Sequence, residues 1–226
     1  MSYEALTAPA VSGLNPIARP TLAQQVADAI VDAIAGGAIQ PGERLTDSDI
    51  ANRLGVSRNP VREAMKTLEA QGIIISSPHR SIHVVDFDQK KVEQIARARV
   101  AIEKIAFAEA VGVYAQRPEL LMELDHIIDR MEQSARNGDL SGITKADLAF
   151  HRAVCMASNN QILLTLWETI ARHMRISFNL EIHQDTGSPG EIPGHHRVLR
   201  DVLARGNRRE VEQEIERHIL RLQRRS

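Results

Sequence analysis

Apolar and polar positions alternate along the chain in blocks that predict a run of helices interrupted once by a hairpin. From Thr21, the positions Leu22, Val26, Ala29, Ile30 and Ala33 recur at helical spacing as far as Gly36-Gly37, which predicts a first amphipathic helix. Thr46-Asp47-Ser48-Asp49 fits the capping-box pattern ahead of Ile50, Ala51 and Leu54, a short helix closed by Gly55. In residues 57–72, Val61, Ala64, Met65 and Leu68 gather on one side of a helical wheel, with Arg58, Asn59, Arg62, Glu63 and Lys66 on the other. Asn59-Pro60 has the form of an N-cap followed by proline at the first helical position, and Gly72 stands where a left-handed stop belongs. Two short apolar runs, Ile73 to Ser76 and Ile82 to Val85, flank Ser77-Pro78-His79-Arg80-Ser81 and predict a hairpin. A short helix, a tight Gly-Val-Ser turn, a basic helix and a hairpin make a winged helix-turn-helix.

Beyond Asp86-Phe87-Asp88 the periodicity is helical throughout. Val92, Ile95, Ala96, Ile102 and Ala106 form one stripe, and Leu120, Leu121, Leu124, Ile127, Ile128 and Met131 form a second that ends at Asn137-Gly138. Further helices are predicted over Ile143 to Ala157 and Gln161 to about Ile182. A loop from Gln184 to Pro193 precedes two more, divided near Gly206-Asn207. The expected fold is mainly α: a mobile segment over 1–18, a winged helix-turn-helix with a small β-hairpin wing over 19–86, and an antiparallel bundle of six or seven helices over 87–226.

Composition narrows the function without naming it. The 226 residues suffice for a sizeable core in one or two domains, and an aromatic content of 3% argues against stacking-based binding of single strands. The net charge of -1 does not advertise nucleic acid. Local clustering of Arg53, Arg58, Arg62 and Lys66 answers this, because local field rather than total charge makes phosphate contacts. A single cysteine, Cys155, excludes an intrachain disulfide. The absence of a leader pattern and of any apolar run of membrane-span length gives a cytoplasmic protein with no membrane partner as the expectation.

Two constellations carry chemistry. The polar face of residues 57–72 fits either a solvated, charge-laced helix or one that enters the major groove and reads base edges from its first turns. In the bundle, Asp147 and His151 lie four residues apart on the helical face that also carries Phe150 and Val154. His196 shares a side with Leu199 and Leu203, and His218 with Val211, Ile215 and Leu222. An aspartate and three histidines on inward faces suit a divalent metal such as zinc, nickel or manganese. His195 shares a side with Val202, so by periodicity it competes with His196. Arg99 lies among Val92, Ile95 and Ala106, where a buried guanidinium needs a partner. That partner is either Glu103 one turn on or the carboxylate of a small molecule above the metal. His173, Arg175 and Asn179 are weaker candidates for the same pocket.

Pro41-Gly42-Glu43-Arg44-Leu45, Leu54-Gly55-Val56-Ser57-Arg58 and Pro60-Val61-Arg62-Glu63-Ala64 resemble the winged helix-turn-helix of GntR-type bacterial transcription regulators over about Arg19 to Asp86. Three positions depart from that pattern: Ser48 where an arginine that contacts DNA is usual, Asn59 where threonine is usual, and Ser81 in place of a wing-tip glycine. The bundle that follows resembles the FCD-type ligand-binding domain of the FadR subfamily, in which an Asp-x3-His and two later histidines often hold a metal. Those positions match Asp147, His151, His196 and His218, and the spacing to His218 favours His196 over His195. The resemblance implies a homodimeric, metabolite-responsive regulator, commonly a repressor, on a palindromic double-stranded operator. Arg44, Ser57, Arg58, Asn59, Arg62, Lys66 and Arg80 would contact DNA, and a small carboxylate effector would bind at the metal and Arg99. Two other readings fit parts of the pattern: a metal-dependent hydrolase or lyase, for which no Glu stands beside either ligand of the Asp147 helix in the manner of His-Glu-x-x-His, and a DNA-binding protein whose bundle only dimerises.

Overall fold

The computed structural model describes residues 20–77, 81–182 and 189–221. The N-terminal segment, Arg80 and Leu222 lie outside these residues.

The N-terminal part contains α1 (Leu22–Ala35), β1 (Arg44–Leu45), α2 (Asp47–Leu54), α3 (Arg58–Ala70), β2 (Ile74–Ser76) and β3 (Ile82–Val84). Helix α1 opens on a complete capping box: Thr21 Oγ1 accepts from the Gln24 amide and Gln24 Oε1 accepts from the Thr21 amide. Helix α2 shows the backbone half of the predicted box, with Thr46 Oγ1 accepting from the Asp49 amide. It ends at Gly55, whose φ of 66° favours a residue without a side chain and turns the chain towards α3. The strands are antiparallel in the order β1-β3-β2, with Arg44 opposite His83 and Ile75 opposite His83 from the other side. Val26, Ile30, Ile34, Ile50, Val61, Met65, Leu68, Ile73 and Ile74 make the core beneath them.

Several local expectations are corrected. The cap of α3 is Ser57 rather than Asn59, and its side chain makes no capping hydrogen bond. Asn59 and Pro60 therefore lie within the first turn, where proline removes only an amide that the helix leaves unpaired. Leu22 and Leu54, assigned to buried stripes, are exposed because each sits at a helix end beyond the packed surface. The wing gains a third strand, β1, which no alternation in the sequence announced.

The second part is a bundle of α4 (Gln89–Gln116), α5 (Glu119–Arg136), α6 (Leu140–Ala157), α7 (Gln161–Ile182), α8 (Ile192–Arg205) and α9 (Arg208–Arg221). Helix α4 packs along α9, α6 and α7, while α5 packs on α6 and α8. Phe107, Leu124, Ile128, Met131, Phe150, Val154, Leu199, Leu203 and Ile215 fill the centre. Helix α8 begins before Pro193, which was expected to belong to the loop; a single 3₁₀ turn over Pro189–Glu191 leads into it.

Helix α7 also joins the two parts. Its Ile176 is buried in the N-terminal core, Arg172 pairs with Asp28 at 3.1 Å, and Arg175 pairs with Asp32 at 2.9 Å. His173 Nε2 donates to the Gln71 carbonyl at 2.9 Å. His173 and Arg175 are thus interdomain residues rather than pocket lining, and the side chain of Asn179 lies outside the described ones.

Candidate metal centre and nucleic-acid interface

Asp147, His151, His196 and His218 converge inside the bundle, each offering one ligand atom, with all four atoms within 4.8 Å of one another. The helical repeat delivers them: Asp147 and His151 project from one face of α6, and His196 and His218 come from the buried faces of α8 and α9. Phe107 and Phe150 pack against the imidazole of His151, and the Phe150 ring stands edge-on to His196 at 4.9 Å. His195 is half-buried and outside the cluster.

The hydrogen bonds around the cluster fix which nitrogens face inward. His196 Nδ1 donates to the Ile192 carbonyl at 2.9 Å, so its Nε2 lone pair points at Asp147 Oδ1, 3.0 Å away. His151 Nδ1 lies 2.6 Å from Glu103 Oε2, which places the proton there and leaves Nε2 facing His218 Nε2 at 3.2 Å. Asp147 Oδ1 and His196 Nε2 face each other as two acceptors, a repulsive arrangement in a buried site. A cation between them turns repulsion into coordination. Two donors on an ion about 2.1 Å away stand ~3.0 Å apart at a right angle, close to the spacings found. The residues therefore fit a divalent metal, and Glu103 and the Ile192 carbonyl fit the outer partners that orient ligating histidines.

Glu103 is the residue that periodicity undervalued. It is fully buried and receives Arg99 Nε at 2.7 Å and Trp167 Nε1 at 2.9 Å in addition to approaching His151. Burial acts to raise its pKa, but the neighbouring Arg99 and His151 override that and bring it down to about 2. Burial likewise opposes charge on Asp147, yet Arg99 and the His196 contact hold it well below the usual carboxylate range. For His151 and His218 burial dominates and lowers both, favouring the neutral imidazole that a metal requires. Arg99 itself is 2% exposed: burial disfavours its charge, Glu103 and Asp147 more than restore it, and Phe178 lies 5.5 Å away under the guanidinium. Its Nη2 and Asp147 Oδ2, 3.6 Å apart, are both buried without a hydrogen-bond partner.

The other candidate site lies on α2, α3 and β1. Arg44, Ser57, Arg58, Asn59, Arg62 and Lys66 are all exposed, and a groove is lined by Arg44, Asp47, Arg58, Arg62 and Lys66. Lys66 Nζ donates to Glu63 at 2.9 Å. Asp47, which the sequence offered only as part of a cap, sits between the two arginines.

A helix-turn-helix with a three-stranded wing, joined to a helical bundle, is the architecture of a DNA-binding regulator. Residues 22–84 match the family described as "Bacterial regulatory proteins, gntR family", and residues 94–221 match the FCD domain. The chain belongs to the GntR family of transcription regulators, in its FCD-containing branch. It is 30% identical over 203 residues to the probable D-xylose utilization operon transcriptional repressor of Paenarthrobacter nicotinovorans, covering 90% of this chain and 88% of that protein. It is 27% identical over 183 residues to the HTH-type transcriptional regulator McbR of Escherichia coli, covering 81% of each. The solved structure of E. coli McbR/YncC shares the fold with a TM-score of 0.77 at 24% identity, over 89% of this chain and 94% of that one. These families and relatives are transcription regulators, not enzymes. Among the described residues, no helix is long and apolar enough to cross a membrane.

Proposed function

We propose that the chain is a metal-dependent, carboxylate-responsive regulator, acting as a repressor through a homodimer on a palindromic operator. The observation that carries the sensing half is the meeting of one carboxylate oxygen and three imidazole nitrogens from α6, α8 and α9 around one point. Asp147, His151, His196 and His218 hold the ion, of the zinc, nickel or manganese class. A bound divalent ion supplies fixed positive charge and, when octahedral, free positions for the oxygens of an anion. Arg99 keeps its Nε on Glu103 and offers Nη2, which has no hydrogen-bond partner, to the same anion.

In the N-terminal domain, Arg58 and Arg62 read guanine edges or phosphates, Arg44, Ser57, Asn59 and Lys66 add polar and phosphate contacts, and Arg80 works from the wing. Two such domains in successive major grooves require a palindrome. The exposed Ile162 and Leu166 on α7 support a self-association face. Because α7 holds Trp167 and Phe178 at the cluster and Arg172, Arg175 and Ile176 at the DNA-binding domain, a change in its packing alters how that domain is carried.

The test has two arms. A duplex selected from a random library by the full-length protein is titrated with a folded Arg58→Ala, Arg62→Ala variant, which should lose sequence-specific affinity; unchanged affinity discards the DNA assignment. Metal content measured after purification without chelator should fall in Asp147→Ala and His218→Ala. Thermal shifts with acetate, malate and citrate, each with and without chelator, test the anion. A stabilisation that survives complete metal removal removes the metal from the effector site.

A further inference from the structure

On the DNA-binding face, Asp47 has an arrangement that the reading of Arg58 and Arg62 as base and phosphate contacts does not explain. Both arginines are long, exposed side chains, about 55% accessible, yet both converge on one carboxylate that is only 20% accessible. Arg58 Nη2 donates to both oxygens of Asp47, at 2.8 and 3.0 Å, and Arg62 Nε donates to Oδ2 at 2.6 Å. The three residues come from two helices: Asp47 is the first residue of α2, Arg58 the first of α3, and Arg62 lies one turn further on. An acidic group at this surface repels phosphate, so its presence between the groove-facing cations needs a reason.

The geometry supplies one. The bonds to Asp47 use one nitrogen of each guanidinium, and Arg62 gives up its Nε edge while keeping both terminal nitrogens. Those terminal nitrogens are the fork that grips two acceptors on one guanine. At Arg62 the carboxylate on the Nε edge therefore fixes the plane and direction of the fork without consuming it, while Arg58 gives its Nη2 to the carboxylate and keeps Nε and Nη1. Asp47 is itself held in place as the opening residue of α2, next to the Thr46 cap, where the helix end favours a negative charge. Its two arginine bonds keep its carboxyl below the usual range, so it stays charged whenever the protein is folded at ordinary pH.

We infer that Asp47 is a positioning residue for sequence readout: it braces Arg58 and Arg62 in one orientation, raising discrimination between duplexes at the cost of general attraction to DNA. This rests on the proposed groove contacts of Arg58 and Arg62. Asp49, on the same helix with the same charge, supplies the control, because its contact is with Arg53 at 3.8 Å.

The experiment measures binding of the full-length protein to the selected duplex and to a scrambled duplex of equal length, by fluorescence anisotropy across a salt series. Asp47→Asn should lower the ratio of specific to scrambled affinity by about tenfold, the order of one well-formed bidentate base contact, with scrambled affinity unchanged or raised. Asp49→Asn should leave the ratio unchanged, and Asp47→Glu should restore part of it. The inference is overturned if Asp47→Asn strengthens both duplexes by the same factor, which is charge removal alone, or if it changes neither. Arg58→Ala and Arg62→Ala separate the two failures. If they abolish discrimination while Asp47→Asn does not, the brace is wrong and the readout stands; if they leave discrimination intact, the readout itself is wrong.

Discussion

Replacing Glu103 by glutamine tests how the buried cluster is organised. The substitution keeps size and shape, so no cavity opens; only charge and one acceptor change. Glu103 now accepts from Arg99 Nε and Trp167 Nε1 on one oxygen and faces His151 Nδ1 with the other. A carboxamide can turn its oxygen to only one of these sides. If it keeps Arg99 and Trp167, its NH₂ group meets His151 Nδ1, and the imidazole must move its proton to Nε2, the atom that faces the other ligands. Removing the negative partner of a fully buried arginine costs about 3–5 kcal/mol, and Asp147 at 3.6 Å offsets part of this. Taking about 3 kcal/mol and roughly 2–4 °C per kcal/mol for a chain of this size, the melting temperature should fall by about 6–12 °C. Loss of an outer partner should also weaken the metal by roughly 10–100-fold. Scanning fluorimetry and competition with a chelating dye read the two effects separately. A Glu103→Gln protein with unchanged melting temperature and unchanged metal affinity would refute the account of both the tautomer and the ion pair.

Three other outcomes follow from the same geometry. His196→Ala should abolish stoichiometric metal while His195→Ala retains it, read by elemental analysis; the reverse result would move the ligand to the neighbouring residue. Leu68→Ala, at a position with no exposure in the N-terminal core, should cost about 2–5 kcal/mol by urea unfolding followed at that domain. Asp28→Ala with Asp32→Ala removes both ion pairs to α7; the pairs are partly exposed, so stability should change by under about 1 kcal/mol per pair. The difference in duplex affinity between metal-loaded and chelator-treated protein should nevertheless shrink, and an undiminished difference would show that the signal does not pass through those pairs.

What was legible in the sequence was whatever repeats locally. The stripe of Val61, Ala64, Met65 and Leu68 and the stripe of Leu124, Ile127, Ile128 and Met131 are both buried as periodicity requires. The cap of α3 was displaced because Ser57 and Asn59 are both good capping residues two positions apart, and the choice between them depends on where the preceding turn delivers the chain. Strand β1 has two residues, too few to show alternation, and exists because β3 offers it a partner. For the cluster, the four-residue spacing of Asp147 and His151 was visible, and the resemblance to the FadR subfamily singled out His196 and His218. The outer ring was not visible in full. Trp167 and Phe178 reach Glu103 and Arg99 from α7, more than sixty residues away from them, and no local pattern encodes that meeting.

Helix α7 lies between the buried cluster and the DNA-binding domain and touches both. The cluster is built on α4, α6, α8 and α9, whose packed faces are fixed by Phe107, Phe150, Leu199 and Ile215 as well as by the ligand atoms. Helix α7 contributes no ligand; it touches the polar core through the Trp167 hydrogen bond and the Phe178 ring. On the other side it carries Arg172, His173, Arg175 and Ile176 into the DNA-binding domain. Helix α7 is also packed on α4 and α6 through Leu163, Trp167 and Met174 against Ile95, Ala106, Leu148 and Cys155, so a perturbation at Arg99 or Glu103 reaches it through a continuous buried surface. The helix that touches the cluster without ligating it is also the one bonded to the DNA-binding domain, which makes α7 the route that the proposed sensing mechanism would use.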